Sequence, residues 1–276
     1  MKLVRFSTSN GQHWGSLDGT RIRIAPMGLG LLEDNLTNLL QLEEILVREP
    51  LGPEISEVAL LAPLCCPPQF IGIGLNYRNH AIETGNPIPA APISFGFLQS
   101  SIIGPGDSIV IPPNSSDVDW EAELGIVIGK PGRDISIANA LDHVAGYLIV
   151  NDVSERQVQS SEGQWGRAKS FDSFKPVGPW IVTQNEVGNA DNLEIGLTVN
   201  GIVKQSSSTS ELIFGISELV SRLSYSTSLM TGSIISTGTP PGIGSSRKPP
   251  EFLKSGDIVE VTIEKIGSLT NPVVKL

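Results

Sequence analysis

Short apolar segments separated by turn residues fill the chain from residue 109 onward and constrain its fold more than any other feature. From Leu193 to Val199 an apolar side chain recurs at every second position, as in a strand that buries one face. The same reasoning predicts further strands at 109–111, 124–128, 144–150, 180–182, 234–236 and 258–263. Many strands and few helices predict a mixed α/β, mainly β fold rather than a regular βαβ array.

The chain divides into three parts by composition. Residues 1–62 combine short strand patterns with one helical pattern and predict a small N-terminal α+β domain. The proline-rich stretch 63–69 predicts a linker, because prolines and adjacent turn residues interrupt regular structure. Residues 70–276 are then expected to form the larger domain.

Two segments show the 3.6-residue apolar spacing of amphipathic helices. The first runs from Asp34 to Arg48 and ends before Pro50. The second runs from Ser210 to Leu223 and has hydroxyl residues at its start that suit an N-cap. The polar stretch 206–210 is interpreted as the approach to this second helix.

Charge and hydropathy exclude several classes of protein. Nineteen basic and twenty-nine acidic residues give a net charge of −10, which repels nucleic-acid phosphates and anionic membrane surfaces. No apolar run has the length of a signal peptide or a membrane span, so a soluble, cytoplasmic protein is expected. The adjacent Cys65 and Cys66 are interpreted as free thiols, because neighbouring cysteines form an unstrained disulfide with difficulty.

Three carboxylates mark a candidate metal site. Glu121 and Glu123 are two apart at the start of an apolar strand and would share one face of it. Asp152 follows a second apolar strand. Three carboxylate oxygens suit a hard divalent cation such as Mg²⁺, whereas a solvated strand edge and a turn aspartate are the alternatives. Asp119 could support this site or serve only as a turn residue.

Further polar residues could complete an active site around these acids. His80 and Glu83 are three apart and would be neighbours in a helical turn. Lys169 adds a cation, and the Gly- and Pro-rich loop 237–244 could cradle a carboxylate oxygen with its free N–H groups. Arg156 could steer a substrate carboxylate or pair with an acid.

Several segments occur in the order found in one known family, and the matching stretches are Gly74–His80, Asp119–Glu123, Gly146–Tyr147, Asn151–Arg156, Lys169–Asp172, Pro176–Trp180, Val199–Gly201 and Thr237–Pro240. Together they resemble the fumarylacetoacetate hydrolase family, in particular its acylpyruvase and 2-hydroxyhepta-2,4-diene-1,7-dioate isomerase-like branch. The resemblance implies the family's β-roll catalytic domain and a homodimer. It also implies Mg²⁺ or Mn²⁺ held by Glu121, Glu123 and Asp152, a site that Ca²⁺ could fill in a crystal.

The resemblance further implies roles for the other residues. His80 and Glu83 match a dyad on a segment that closes over the substrate, where it activates water or moves a proton. Lys169 matches a lysine that stabilises a developing enolate. The positions expected to contact substrate are Tyr77, Phe97, Arg156, Gln159 and Thr239.

The implied substrate is a small 2-oxo or β-dicarbonyl acid. The first hypothesis is hydrolysis of a C–C bond in an acylpyruvate-type acid through an enolate. Decarboxylation of a β-keto acid such as oxaloacetate, or keto–enol isomerisation, would use the same intermediate. A catalytically inactive binding protein is the rival from another class, and retention of the ligands and of the dyad speaks against it.

One position departs from the family pattern. Phe97 stands where the family usually carries a lysine, which suggests a less charged or bulkier substrate than oxaloacetate. Lys175 stands where the family often has a small residue. It could restore some of the charge, although an exposed lysine is the expectation.

Overall fold

The computed structural model describes residues 1–276. Its strands are β1 (Lys2–Thr8), β2 (Gly11–Asp18), β3 (Arg21–Ile24), β4 (Leu51–Glu54), β5 (Ala59–Leu61), β6 (Phe70–Gly74), β7 (Ile93–Gly96), β8 (Ile102–Ile103), β9 (Ile109–Ile111), β10 (Val118–Asp119), β11 (Ala122–Ile128), β12 (Val144–Asn151), β13 (Ser154–Glu155), β14 (Lys175–Thr183), β15 (Glu194–Val199), β16 (Ile202–Ser208), β17 (Ile234–Ser236), β18 (Ile258–Ile263) and β19 (Gly267–Lys275). Its α-helices are α1 (Leu39–Leu46), α2 (Arg78–Glu83), α3 (Arg156–Glu162), α4 (Trp165–Ala168), α5 (Gln184–Val187) and α6 (Ile216–Leu223). The predicted mainly β fold is confirmed.

The fold is built mainly from two β-sheets. The larger has twelve strands, in the order β4-β3-β2-β1-β14-β12-β11-β17-β6-β7, with β5 beside β1 and β8 beside β14. The smaller has the order β16-β15-β18-β19-β9, and β10 pairs separately with β13. Strands β11 and β12 are buried along their whole length. This explains why their sequences do not alternate and are polar only at Glu123 and Asn151, at one end of the pair.

The pairing of β11 with β12 positions the predicted acids. The strands are antiparallel, with Ala122 opposite Asn151. Glu121 and Glu123 lie on either side of Ala122, and Asp152 directly follows Asn151. The three acids are therefore at the same end of this strand pair. The backbone N–H of Asp152 donates to the carbonyl of Glu121 at 2.8 Å, so the two chain segments that carry the acids are tied together.

The strands of the first 62 residues form one end of the large sheet. Strand β1 pairs antiparallel with β14, with Lys2 opposite Val182 and Leu3 opposite Ile181. Helix α1 lies between β3 and β4 along the chain, and its buried residues Leu42 and Leu46 belong to a core shared with β12 and β14. The division into an N-terminal domain, a linker and a catalytic domain stays a prediction.

The two predicted helices are shorter than their apolar patterns. Helix α1 starts at Leu39 rather than Asp34, and a 3₁₀ turn occupies Glu33–Asn35. Helix α6 starts at Ile216, because the preceding backbone bonds elsewhere: the N–H groups of Ile213 and Phe214 donate to Asn76. The interpretation of 206–210 as a simple approach was also wrong, since 202–208 is strand β16.

No helix of the chain is long and apolar enough to cross a membrane.

Candidate active site

Glu121, Glu123 and Asp152 converge at one point between the ends of β11 and β12. One carboxylate oxygen from each lies within 4.8 Å of the others, and all three side chains are buried. The alternatives of a solvated strand edge and a simple turn aspartate therefore do not describe this cluster. Three buried carboxylates repel one another strongly unless positive charge is placed among them.

Glu123 is held by neutral hydrogen-bond donors only. Its Oε2 accepts hydrogen bonds from the Ser236 hydroxyl at 2.5 Å and from the Gly238 backbone N–H at 3.0 Å, but no cationic side chain forms an ion pair with it. Burial, together with the negative charges of Asp152 and Glu121, raises the pKa of Glu123 well above its usual value. A divalent cation among these oxygens would remove that penalty.

The other two acids are paired with cations. Lys169 Nζ donates to Glu121 Oε2 and Asp152 Oδ2, each at 2.7 Å, and to the Ser154 hydroxyl at 2.9 Å. Arg156 lies 2.6 Å from Glu121 Oε1. Although burial alone would raise the pKa of Glu121, the positive charges of Lys169 and Arg156 lower it to about 2. Burial disfavours the charged form of Lys169, but the surrounding acids outweigh it and raise its pKa.

Asp119 anchors the wall behind the acids. It is fully buried, accepts from Arg156 Nε at 2.9 Å, and accepts from the backbone N–H groups of Gly244 and Ser245 at 2.7 and 3.0 Å. It also accepts from the N–H of Trp120, as a turn residue does. Asp119 therefore both supports the site and acts as a turn residue, the two roles considered from the sequence. Its bond to Arg156 holds that side chain next to Glu121.

Lys175 is buried, and the expectation of an exposed lysine was wrong. Its side chain is 0% exposed, and Nζ lies 2.7 Å from Asp152 Oδ1 while donating to the backbone carbonyls of Val153 and Phe174. Nζ also lies 4.6 Å from the centre of the Phe97 ring. Burial of the ammonium group and the nearby charge of Lys169 lower the pKa of Lys175 to about 8.

The donor set fits a hard divalent cation. Three carboxylates from two adjacent chain segments supply oxygen ligands, as Mg²⁺ and Mn²⁺ prefer. Each oxygen of Asp152 lies 2.7 Å from a lysine ammonium, whereas Glu123 is buried with neutral donors only, so Glu123 is the acid that lacks a countercharge. No histidine or cysteine belongs to the cluster, which argues against a zinc-type ligand set.

His80 and Glu83 form the predicted dyad on helix α2. His80 Nδ1 lies 3.1 Å from Glu83 Oε2, so Nε2 is the ring nitrogen left for a reacting group. The other carboxylate oxygen, Glu83 Oε1, accepts from the backbone N–H of Gly242 at 2.9 Å. This bond connects helix α2 to the loop 237–244 and fixes the dyad relative to it.

A cavity of about 520 Å³ lies in front of the acids. The structure brings most of the predicted residues to it, and the predicted residues that line it are His80, Glu121, Glu123, Arg156, Gln159, Lys169 and Thr239. Tyr77 and Phe97 do not line it. Both rings are buried behind the cavity, Phe97 in an edge-to-face contact with Phe95, so their proposed substrate contacts have no support in this geometry.

Several supporting residues were missed from the sequence. Gln205 accepts from the Ala122 N–H and donates to the Thr239 hydroxyl, which links β11 to the loop 237–244. Ser236 and Ser154 bond to Glu123 and Lys169. Ser236 ends the apolar strand β17 and was the available signal there, although it does not identify the partner. Gln205 lies in the polar sequence of β16 and Ser154 in the short β13, and neither stands out locally.

Asn76 holds the loop and the start of helix α6 in place. Its amide donates to the carbonyls of Phe214 and Thr237, and its oxygen accepts from the Phe214 N–H. We expect Asn76→Ala to lower the free energy of unfolding by about 3 kcal/mol or more, since three buried backbone groups lose partners. Chemical denaturation measures this, with the exposed Asn10→Ala as control. A loss below 1 kcal/mol would contradict it.

Comparison with known proteins agrees with this fold. The chain matches the family model for the fumarylacetoacetate (FAA) hydrolase C-terminal domain over residues 69–274. It is 40% identical over 288 residues to the mitochondrial oxaloacetate tautomerase FAHD2A of Bos taurus, covering 99% of this chain and 92% of that protein.

Two solved structures show the same fold along the whole chain. Fumarylacetoacetate hydrolase from Exiguobacterium antarcticum has a TM-score of 0.89 and 34% identity, covering 100% of both chains. The 2-hydroxyhepta-2,4-diene-1,7-dioate isomerase from Mycobacterium marinum has a TM-score of 0.80 and 36% identity, covering 100% of this chain and 98% of that one. The chain therefore belongs to the fumarylacetoacetate hydrolase family.

Proposed function

We propose that this chain is a divalent-metal-dependent hydrolase that cleaves a C–C bond in an acylpyruvate-type 2-oxo acid. The observation that carries the proposal is the cavity itself, because the buried acids Glu121 and Glu123 and the histidine His80 line the same space. A cation site beside a base that is fixed by its own carboxylate supports enolate chemistry on a chelating acid.

The three acids would hold the metal, while other side chains would stabilise negative charge and transfer protons. When bound by Glu121, Glu123 and Asp152, Mg²⁺ or Mn²⁺ supplies Lewis acidity towards the neighbouring carboxylate and carbonyl oxygens of a 2-oxo acid. Lys169 donates to Glu121 and Asp152 and adds positive charge where an enolate would develop. Because Lys169 is already held in place by its hydrogen bonds, it would not have to rearrange when the negative charge develops.

His80 is placed to move the protons. With Nδ1 held by Glu83, Nε2 can take a proton from water, and the resulting hydroxide adds to the distal ketone of the substrate. The C3–C4 bond then breaks with its electron pair left on C3, which His80 reprotonates. The products are a carboxylic acid and pyruvate, and one water molecule is consumed.

Keto–enol tautomerisation is the second candidate. It needs only a proton transfer at C3, which the same His80 could perform without water. The specific observation in its favour is the relative named as an oxaloacetate tautomerase, at 40% identity over 99% of this chain. Oxaloacetate decarboxylation would also proceed through the enolate. An inactive binding protein stays the rival from another class.

One preparation can separate these candidates. Acetylpyruvate cleavage is followed by pyruvate release, and oxaloacetate enol decay by ultraviolet absorbance, each with Mg²⁺ and with chelator. Cleavage that requires the metal supports the first proposal. Fast oxaloacetate tautomerisation with no acylpyruvate cleavage would replace it with the second, and no metal-dependent turnover of either acid would sink both.

The assembly is part of the proposal as well. We propose a homodimer, as the resemblance to the family implies, with a small-molecule acid as the partner and no nucleic acid. Light scattering coupled to gel filtration would give about twice the mass of 29.4 kDa. A monomer at working concentration would contradict this.

A further inference from the structure

We infer that the substrate ends in an uncharged, flat or aromatic group rather than in a second carboxylate. The inference rests on the proposed function, since it assumes that a 2-oxo acid head is held at Glu121, Glu123 and Asp152. It concerns the far part of the cavity, whose walls are built by Phe95, Trp165 and neutral polar residues.

The cavity is larger than its reactive end. Its volume of about 520 Å³ lies within the range that holds drug-sized ligands, roughly 300–1,000 Å³. A three-carbon 2-oxo acid head would leave much of that space empty. The remaining space therefore accommodates a substituent of several heavy atoms on the acyl side of the substrate.

Aromatic rings form one wall of that space. Lys169 Nζ lies 5.7 Å from the centre of the Phe95 ring, and Phe95 meets the Trp165 ring edge-to-face at 5.7 Å. The wall thus leads from the acids outward, and both rings are half-buried and line the cavity. Aromatic faces favour flat apolar groups that can stack or meet them edge-on.

Gly74 makes room for the Trp165 ring. A Cβ on Gly74 would lie 2.1 Å from Trp165 Cζ3. Real Cβ atoms do not approach this closely, so a side chain at Gly74 would push the indole away. A Cβ on Gly166, the residue after Trp165, would lie 2.7 Å from the Gly96 carbonyl oxygen, so helix α4 packs closely against the end of β7. The tryptophan is therefore built into the wall rather than left loose on the surface.

No free cation faces this part of the cavity. The only lysine and arginine that line it are Lys169 and Arg156. Lys169 is engaged by two acids, and Arg156 by Asp119, Glu121 and the Gln159 side chain at 2.8 Å. The remaining polar lining consists of neutral groups, namely Thr84, Asn86, Ser160 and Ser245. A buried second carboxylate would lack the paired charge it needs.

Binding of uncleavable 2-oxo acids tests the inference. With Mg²⁺ present, calorimetry would compare pyruvate, 2-oxohexanoate, 2-oxohexanedioate and 2-oxo-4-phenylbutanoate. The middle two differ only in a terminal carboxylate, which isolates the effect of charge. We expect the phenyl acid to bind most tightly, and the dioate to bind about tenfold more weakly than 2-oxohexanoate.

Substituting Trp165 in the aromatic wall of the cavity should weaken some acids selectively, which a general disturbance of the site would not do. Trp165→Ala should weaken the phenyl acid about tenfold and change pyruvate less than twofold, because only the phenyl acid has a ring that packs against the indole. Trp165→Phe should restore most of the affinity. Tyr225→Ala, on an exposed ring away from the cavity, is the control.

Two kinds of failure are distinguishable. If pyruvate binds only with Mg²⁺ but the dioate binds as tightly as 2-oxohexanoate or more tightly, the inference about the tail is overturned and the proposed function survives. Equal losses for all acids in Trp165→Ala would overturn it too. If no 2-oxo acid binds in a Mg²⁺-dependent way, the proposed function fails, and the inference fails with it.

Discussion

Glu123→Gln is expected to lose catalysis while gaining stability in the absence of metal. The substitution removes one carboxylate from the proposed metal site, and Lewis-acid stabilisation is worth several kcal/mol, so kcat/KM should fall about 1,000-fold or more. Glu123 suits this test because no cation pairs with it. Truncating Glu121 or Asp152 would also leave buried lysines or arginine without partners.

The stability gain follows from the repulsion among the acids. A glutamine oxygen can still accept from Ser236 and Gly238, but the charge that faces Asp152 and Glu121 is gone. The metal-free variant should melt a few degrees above wild type, since about 1 kcal/mol moves the Tm of a chain this size by roughly 2–4 °C. The increase in Tm that Mg²⁺ gives to wild type should be absent.

The exposed Glu194→Gln on β15 is the matched control. It removes the same charge from the chain but leaves the cluster intact, so its activity and its Mg²⁺-dependent Tm should equal those of wild type. A Glu123→Gln protein that keeps full activity, or that still gains stability from Mg²⁺, would contradict the proposed role of this carboxylate.

His80→Asn should lower kcat by about 10²–10⁴-fold, the usual contribution of a general acid–base group. Asparagine keeps a polar side chain at the position but cannot exchange a proton near neutral pH. Because His80 is not a ligand of the acid cluster, the metal-dependent Tm increase should remain. Initial rates over a substrate series measure the separate effects on kcat and KM.

The neighbouring carboxylate provides a graded comparison. Glu83→Gln keeps one acceptor oxygen, which can serve His80 Nδ1 or the Gly242 N–H but not both, because the two bonds use different carboxylate oxygens. Since His80 itself is retained, the loss in kcat should still be smaller than that of His80→Asn. His13→Asn, at a histidine of β2 far along the chain from the dyad, should behave as wild type. Equal kcat values for His80→Asn and wild type would show that the base lies elsewhere.

Much of the fold could be predicted because its strands are locally marked. The predicted segments 109–111, 234–236 and 258–263 match β9, β17 and β18 in both bounds. Strand β16 was missed, since its serine-rich end resembles a loop when read alone. Its pairing with β15 through backbone hydrogen bonds depends on a partner strand and not on its own side chains.

The candidate site was predicted only in part, because some of its features are marked locally in the sequence and others depend on contacts between distant residues. The two-residue spacing of Glu121 and Glu123 indicates a shared face, but nothing local connects them to Asp152, which the β11–β12 pairing supplies. The burial of Lys175 was unpredictable from its neighbours, because an acid 23 positions away provides its countercharge. Long-range ion pairs of this kind are properties of the folded chain.

Titration of the metal-free protein with Mn²⁺ by calorimetry tests the central claim most directly. We predict one binding event per chain in wild type and in Glu194→Gln, and none in Glu123→Gln at the same concentrations. The Glu123→Gln protein must be folded for its loss of binding to be meaningful, and the raised Tm expected for this variant would verify that. Absence of Mn²⁺ binding to wild type, or equal binding to Glu123→Gln, would contradict a metal centre formed by Glu121, Glu123 and Asp152.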